Sequence, residues 1–314
     1  MKNQPISGND LARFSGPSTF MRLPVSTELH KLDVAFLGIP MDIGTSWRSG
    51  TRMGPKQVRA ESSILRPYNM GTGAAPFDSL HCADIGDLAI NTFSLADSLK
   101  IIERSYAEIL AVSELVPMGI GGDHSITLPI LRAMAAKHGP LALVHVDAHA
   151  DVNDEMFGER ETHGTVFRRA YEEGLIIPEK TYQIGLRGGG YTADDFREAA
   201  AWGFQQFPAE SLWGRDLSGM AAEIRRDIGK QATYVTYDID SLDPSFAPGT
   251  GTPEIGGLTT PQALTLIRAL RGLNIVGCDL VEVSPPYDPA GTTALVAANL
   301  LYELLCVLPG VGYR

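Results

Sequence analysis

The stretch that most constrains this chain runs from Leu141 to Asp151, Leu-Ala-Leu-Val-His-Val-Asp-Ala-His-Ala-Asp. Its opening, Leu141, Ala142, Leu143 and Val144, follows Gly139-Pro140 and shows no polar alternation. Such a run predicts a strand buried on both faces, the strand type of a parallel sheet lying between layers of helices. His145 and Val146 carry it to its end, and Asp147, His149 and Asp151 then follow at every second position. Alternate residues of an extended segment point the same way. Three metal-capable side chains therefore leave the carboxyl end of one buried strand side by side, where open parallel sheets place their ligands.

One such triplet could be a polar turn, but the pattern recurs twice. A short apolar run at Pro117-Met118-Gly119-Ile120 ends in Gly121-Gly122-Asp123-His124, and a run from Ala232 to Tyr237 ends in Asp238-Ile239-Asp240. Strand ends thus deliver His124, Asp147, His149, Asp151, Asp238 and Asp240. Carboxylates and imidazoles suit Mn2+ or a similar divalent ion, with Ni2+ or Co2+ also accommodated. Six ligands exceed what one catalytic ion with open positions uses. They fit two ions about 3.5–4 Å apart, which share a water and lower its pKa.

The rest of the chain alternates predicted strands and helices. Strands are expected over residues 34–40, 82–88, up to 120, up to 146, 181–186, 204–207, 233–239 and 275–283. Helices are expected over 54–62, 94–115, 125–137, 164–173, 192–202, 219–228, 260–271 and 293–305. Gly54-Pro55 opens the first helix with proline in its first turn, and Ser94 with Asp97 makes an N-terminal cap for the second. This alternation predicts an α/β fold: one three-layer domain, a mainly parallel sheet of about eight strands with helices on both faces. Residues 1–31, punctuated by proline and glycine, read as an arm lying over the domain or a neighbouring subunit, and 32–314 as a single catalytic domain. Ile43 to Gly50 is a turn-rich loop after a strand end and a candidate wall of the site.

A formal net charge of −11 disfavours nucleic acid and anionic membranes as partners. Cys82, Cys278 and Cys306 lack disulfide or zinc spacing and read as small core residues in a reducing compartment. The N-terminal residues show no apolar leader and no run long enough to span a bilayer, so a cytoplasmic enzyme is expected. The glycines at 188–190 and at 249 and 251 lack the Gly-x-Gly-x-x-Gly context of a dinucleotide site.

Gly121-Gly122-Asp123-His124, Asp147-Ala148-His149-Ala150-Asp151 and Asp238-Ile239-Asp240-Ser241-Leu242-Asp243-Pro244 together resemble the ureohydrolases, a family that includes arginases and agmatinases. The resemblance extends from Phe20 to the last helix. It implies an arginase-like fold and hydrolysis of a guanidino group to urea and an amine on two manganese ions. It further implies that His124, Asp147, Asp151 and Asp238 hold one ion and Asp147, His149, Asp238 and Asp240 the other, and that the chain forms homotrimers or hexamers.

The same resemblance gives His163 and Glu282 roles, and the expected mechanism adds one for Asp240. His163, which by itself reads as a helix-start histidine, matches the family's proton shuttle to the leaving amine; its ordinary pKa suits that task. Glu282 stands in the apolar run Val281-Glu282-Val283, where a charge is costly unless paired. The family supplies the partner, a substrate guanidinium held by a bidentate carboxylate. Asp240 orients the attacking water and relays its proton. His145 reads as a core histidine, not a ligand.

For the substrate, Gly185-Leu186-Arg187 is followed by Gly188-Gly189-Gly190, without the acid that arginases use for the α-amino group. The segment Asp151 to Gly158 is most similar to guanidinobutyrases. In that group the position of Met156 lies against the substrate chain, where guanidinopropionases tend to carry tyrosine. A carboxylate tail could meet Asn153, Arg48 or Arg160, with no choice among them from sequence. The expectation is 4-guanidinobutanoate cleaved to 4-aminobutanoate and urea. The alternatives are agmatine, for whose ammonium Asp154, Glu155, Glu159 or Glu161 are candidates, or another guanidine or biguanide. A non-catalytic partner subunit is disfavoured by the full ligand set, and a one-zinc deacetylase-like enzyme by the second bridging aspartate.

Overall fold

The computed structural model describes residues 2–190 and 192–314. Eight strands form one sheet: β1 Val34–Gly38, β2 Cys82–Asp87, β3 Val116–Ile120, β4 Leu141–Val146, β5 Ile176–Ile184, β6 Gln205–Phe207, β7 Ala232–Asp238 and β8 Asn274–Val281. Their spatial order is β2-β1-β3-β8-β7-β4-β5-β6, and each adjacent pair is parallel. The expected sheet of about eight mainly parallel strands is therefore found. β3, β8, β7 and β4 lie consecutively at its centre, so residues from distant parts of the chain leave the rim as neighbours.

β4 is buried along its whole length. Ala142, Val144 and Val146 face a cluster that includes the helix Thr292–Val307, while Leu141 and Leu143 face one that includes the helices Leu95–Val112 and Thr127–His138. One strand thus supplies both cores, the reason its sequence lacks alternation. From the stretch read as an arm, Phe20, Met21 and Leu23 enter the first of these clusters, and Phe20 stacks on Phe36 with ring centroids 4.2 Å apart. The three cysteines are buried and free. Among the described residues no helix is long and apolar enough to cross a membrane.

The expected helix Gly54–Ser62 forms, and the Ser94 hydroxyl accepts from the Asp97 N–H as its cap. Two of the departures from expectation have a readable cause. The helix expected over 192–202 is a 3-10 turn, Ala193–Phe196, followed by the helix Glu198–Trp202. Thr192 and Asp195 close a capping box that tightens the first turn, since short polar side chains compete for backbone groups at helix starts. β5 begins at Ile176, five residues before the expected start; Pro178 disguises it, sitting where the β4–β5 register slips between Leu141 and Leu143.

Candidate metal centre and active site

Every metal ligand expected from sequence lies at the carboxyl rim of the central strands. His124 follows β3, Asp147, His149 and Asp151 follow β4, and Asp238 and Asp240 end β7 or follow it. The His124 ring is buried, and its Nδ1 lies 3.1 Å from Asp147 Oδ2, 3.1 Å from Asp151 Oδ2 and 3.3 Å from Asp238 Oδ2. His149 Nδ1 lies 3.5 Å from Asp147 Oδ1 and 3.1 Å from Asp240 Oδ2. Asp147 thus turns one oxygen to each group. Asp238 turns Oδ2 to the His124 group, while its Oδ1 accepts the Asp240 N–H at 2.8 Å. Asp151 adopts a left-handed backbone, φ 51°, a conformation costly for a non-glycine residue and characteristic of functional sites.

These donors fit divalent ions. His124 Nε2 contacts the Thr236 hydroxyl at 2.9 Å, while the buried Nδ1 has no well-formed hydrogen bond among the described residues and faces three carboxylates. A nitrogen lone pair set against oxygen lone pairs is repulsive unless a positive charge lies between them. Asp238 carries the same signature. Burial, then the neighbouring Asp240 and Asp147 carboxylates, push its carboxyl well above the usual range. Burial works the same way on Asp147, but the imidazoles of His145, His124 and His149 outweigh it and hold that carboxyl well below its usual value. His145 is not exposed to the cleft. Its Nε2 contacts Asp147 Oδ2 at 2.7 Å and its Nδ1 contacts Gln183, so it braces the shared aspartate from within the sheet.

Glu282 follows directly after β8, in a left-handed conformation at φ 64°. The strand therefore ends at Val281, two residues before the expected Val283. Its Oε1 accepts the His124 N–H at 2.8 Å and lies 3.5 Å from His163 Nδ1. Its Oε2 is buried without a hydrogen bond among the described residues. A Cβ at Gly251 would come within 3.4 Å of that oxygen, 3.2 Å of the Arg48 carbonyl and 3.7 Å of Thr45 Oγ1, itself buried and unbonded. A glycine thus leaves room for a planar donor among three acceptors. No internal arginine pairs with Glu282 among the described residues.

His163 begins a 3-10 turn, and its N–H donates to the Gly44 carbonyl. Burial lowers its pKa, but Glu282 raises it further, to about 9. Its Nε2 contacts the Ser46 hydroxyl at 2.8 Å and the Ser46 N–H at 3.2 Å. The loop read as a wall therefore grips His163 through a residue that spacing did not single out.

The cleft above, about 190 Å3, is lined by Ser46, His149, Asp151, Asn153, Met156, His163, Arg187, Asp195 and Thr252, among others. Asn153 Nδ2 donates to the Gly164 carbonyl, and the Met156 sulfur packs at Gly164. Of the candidate tail partners, Arg160 pairs with Glu172 and lines a separate surface hollow. Arg48 lies over the rings of Trp47 and Tyr287. Neither lines the cleft. Asp154 pairs with Arg169 and Glu161 with Arg132. Arg187, which the sequence did not single out, lines the cleft as well. It donates to the carbonyls of Asp240, Ser241, Leu242, Glu254, Ile255 and Gly185, pinning the loop that carries Gly251.

A three-layer α/β sheet with two histidine–aspartate groups sharing a carboxylate at its rim defines a class, the proteins that assemble a paired metal centre across parallel strand ends. The sequence matches the Arginase family over residues 32–306, and the chain belongs to that family. Its members are binuclear metal hydrolases. The chain is 59% identical to a guanidinobutyrase of Pseudomonas aeruginosa over 99% of its own length and 98% of the relative's. It is 54% identical to a mitochondrial agmatinase of Gallus gallus over 98% of its length and 91% of the relative's. The structure of the proclavaminate amidino hydrolase from Streptomyces clavuligerus superposes with a TM-score of 0.88 at 39% identity, covering 94% of this chain and 99% of that one.

Proposed function

We propose that the chain hydrolyses 4-guanidinobutanoate to 4-aminobutanoate and urea, as a cytoplasmic homo-oligomer (trimer or hexamer) loaded with Mn2+. In this reading residues 32–314 are the catalytic domain and 1–31 an arm. His124, Asp147, Asp151 and Asp238 hold one ion, and Asp147, His149, Asp238 and Asp240 the other. When bound, the ions supply Lewis acidity and lower the pKa of water.

The observation that carries the reading is Glu282 Oε2, a buried acceptor without a hydrogen bond among the described residues, facing room left by Gly251. A guanidinium donates in a planar fork that matches a carboxylate. Glu282 fixes the carbon to be attacked beside the two ligand groups. Asp240 accepts the proton that water loses. His163 Nδ1, the nitrogen facing Glu282, gives a proton to the amine nitrogen as its bond to the guanidino carbon breaks, so water adds across that bond and urea and amine leave.

The choice of acid over amine substrate is supported by the 59% identity to the guanidinobutyrase and by Met156 in the cleft. Agmatine is the second reading. It is favoured by Asp195 at the cleft wall and by the 54% identical agmatinase. Asn153 lines the cleft and is the candidate for the substrate tail. Urea release from guanidinobutanoate, guanidinopropionate, agmatine, arginine, guanidine and biguanides tests this. The highest kcat/KM is expected for guanidinobutanoate, and equal or faster turnover of agmatine contradicts it.

A further inference from the structure

Behind His124, on the side away from the cleft, the sheet buries a carboxylate that the reaction does not touch. Asp279 lies on β8 at 0% exposure. Its Oδ2 accepts from the Thr127 hydroxyl at 2.8 Å and from the Tyr234 hydroxyl at 2.8 Å. Its Oδ1 has no well-aligned donor among the described residues. Thr236 on β7 is its direct neighbour across the ladder. Thr236 Oγ1 is also the atom 2.9 Å from His124 Nε2.

A hydroxyl has one proton to give and lone pairs to receive. If His124 presents the Nδ1 lone pair to an ion, its one ring proton resides on Nε2 and is donated to Thr236. The Thr236 proton is then free for the Asp279 oxygen that Thr127 and Tyr234 leave open. Every donation in the row runs the same way, and it ends on a carboxyl group buried inside the sheet. The edge of Phe167 packs on the His124 ring, with centroids 5.3 Å apart, but cannot choose between tautomers. Ligating histidines draw basicity and orientation from such partners.

We infer that Asp279, acting through Thr236, is a positioning residue that fixes His124 as an Nδ1 ligand and strengthens its hold on the ion. His149, a third exposed at the cleft wall, belongs to the other ligand group, so the effect is confined to one of the two ions. The inference rests on the two-ion reading above.

The test is a Mn2+ titration of the full-length, chelator-stripped protein, with ions counted per chain and affinities read by competition against a chelating dye. The parent is expected to bind two ions. Thr236→Val and Asp279→Asn are expected to keep one ion at parental affinity and to bind the other about 10- to 100-fold more weakly, with Thr236→Ser restoring it. The two variants break the row at different members, so if one fails to fold the other decides. Parental affinity for both ions in a folded variant overturns the inference. Equal weakening of both ions, or no rescue by serine, reduces the row to general packing and overturns it too. A parent that binds a single ion instead contradicts the two-ion reading itself.

Discussion

The main-chain N–H of His124 donates to Glu282 Oε1 at 2.8 Å. One short bond thus joins the loop after β3 to the turn after β8, across strands that pair directly in the sheet. It fixes one oxygen of Glu282 and leaves the other buried without a hydrogen bond among the described residues, beside Gly251. Because the contact uses backbone on the His124 side, it survives changes of side chain there, and substrate binding and metal binding can be perturbed separately.

That second oxygen can be silenced in two ways. Glu282→Gln removes the charge while retaining an acceptor for His124. Gly251→Ala keeps the charge and places a methyl 3.4 Å from Oε2. Both are expected to lower kcat/KM, the first by about 100- to 1,000-fold and the second by about 10- to 100-fold. Both should retain the parental metal content. Steady-state urea release with parallel metal analysis checks this, and parental kinetics in either variant would remove Glu282 from substrate recognition.

His163 predicts how the metal-free protein responds to pH. Its folded pKa, about 9, exceeds the unfolded value of about 6.5 because of Glu282. A raised pKa contributes stability fully present below the unfolded value and lost as pH rises through the folded one. Between pH 6.5 and 9, in chelator, the urea midpoint of the parent should therefore fall more steeply than that of His163→Asn. Parallel slopes would show that Glu282 does not hold the imidazole charged.

Met156 reports on chain length. Its sulfur packs at Gly164 on the cleft wall, and the less adaptable phenol of Met156→Tyr takes up that space. One methylene in an apolar pocket is worth about 10- to 200-fold in discrimination. Relative kcat/KM for guanidinobutanoate over guanidinopropionate should fall by about tenfold or more in the variant. An unchanged ratio would place the substrate chain elsewhere.

The strand ends were legible because period-two spacing and unbroken apolar runs report directly on a two-faced sheet. His124, Asp147, His149, Asp151, Asp238 and Asp240 reach one rim for that reason. What spacing could not report is which strands become neighbours. β8 inserts between β3 and β7, and this brings Glu282 to His163 and Asp279 to Thr236. Asp279 did leave a signal, a carboxylate within Cys278-Asp279-Leu280-Val281, the same cost of burial that drew attention to Glu282. Ser46 left none, because a serine in a turn-rich loop is ordinary and its contact with His163 spans 117 positions of sequence. Nor did the left-handed turn at Glu282, which a preference for glycine would have hidden.

The account depends most on Asp147, which turns one oxygen to His124 and the other to His149. Metal content of purified Mn2+-saturated protein tests it directly. The parent should carry two ions per chain, and Asp147→Ala, folded by circular dichroism, should carry fewer than one and release no urea. Two firmly held ions in that variant would contradict the shared-carboxylate centre.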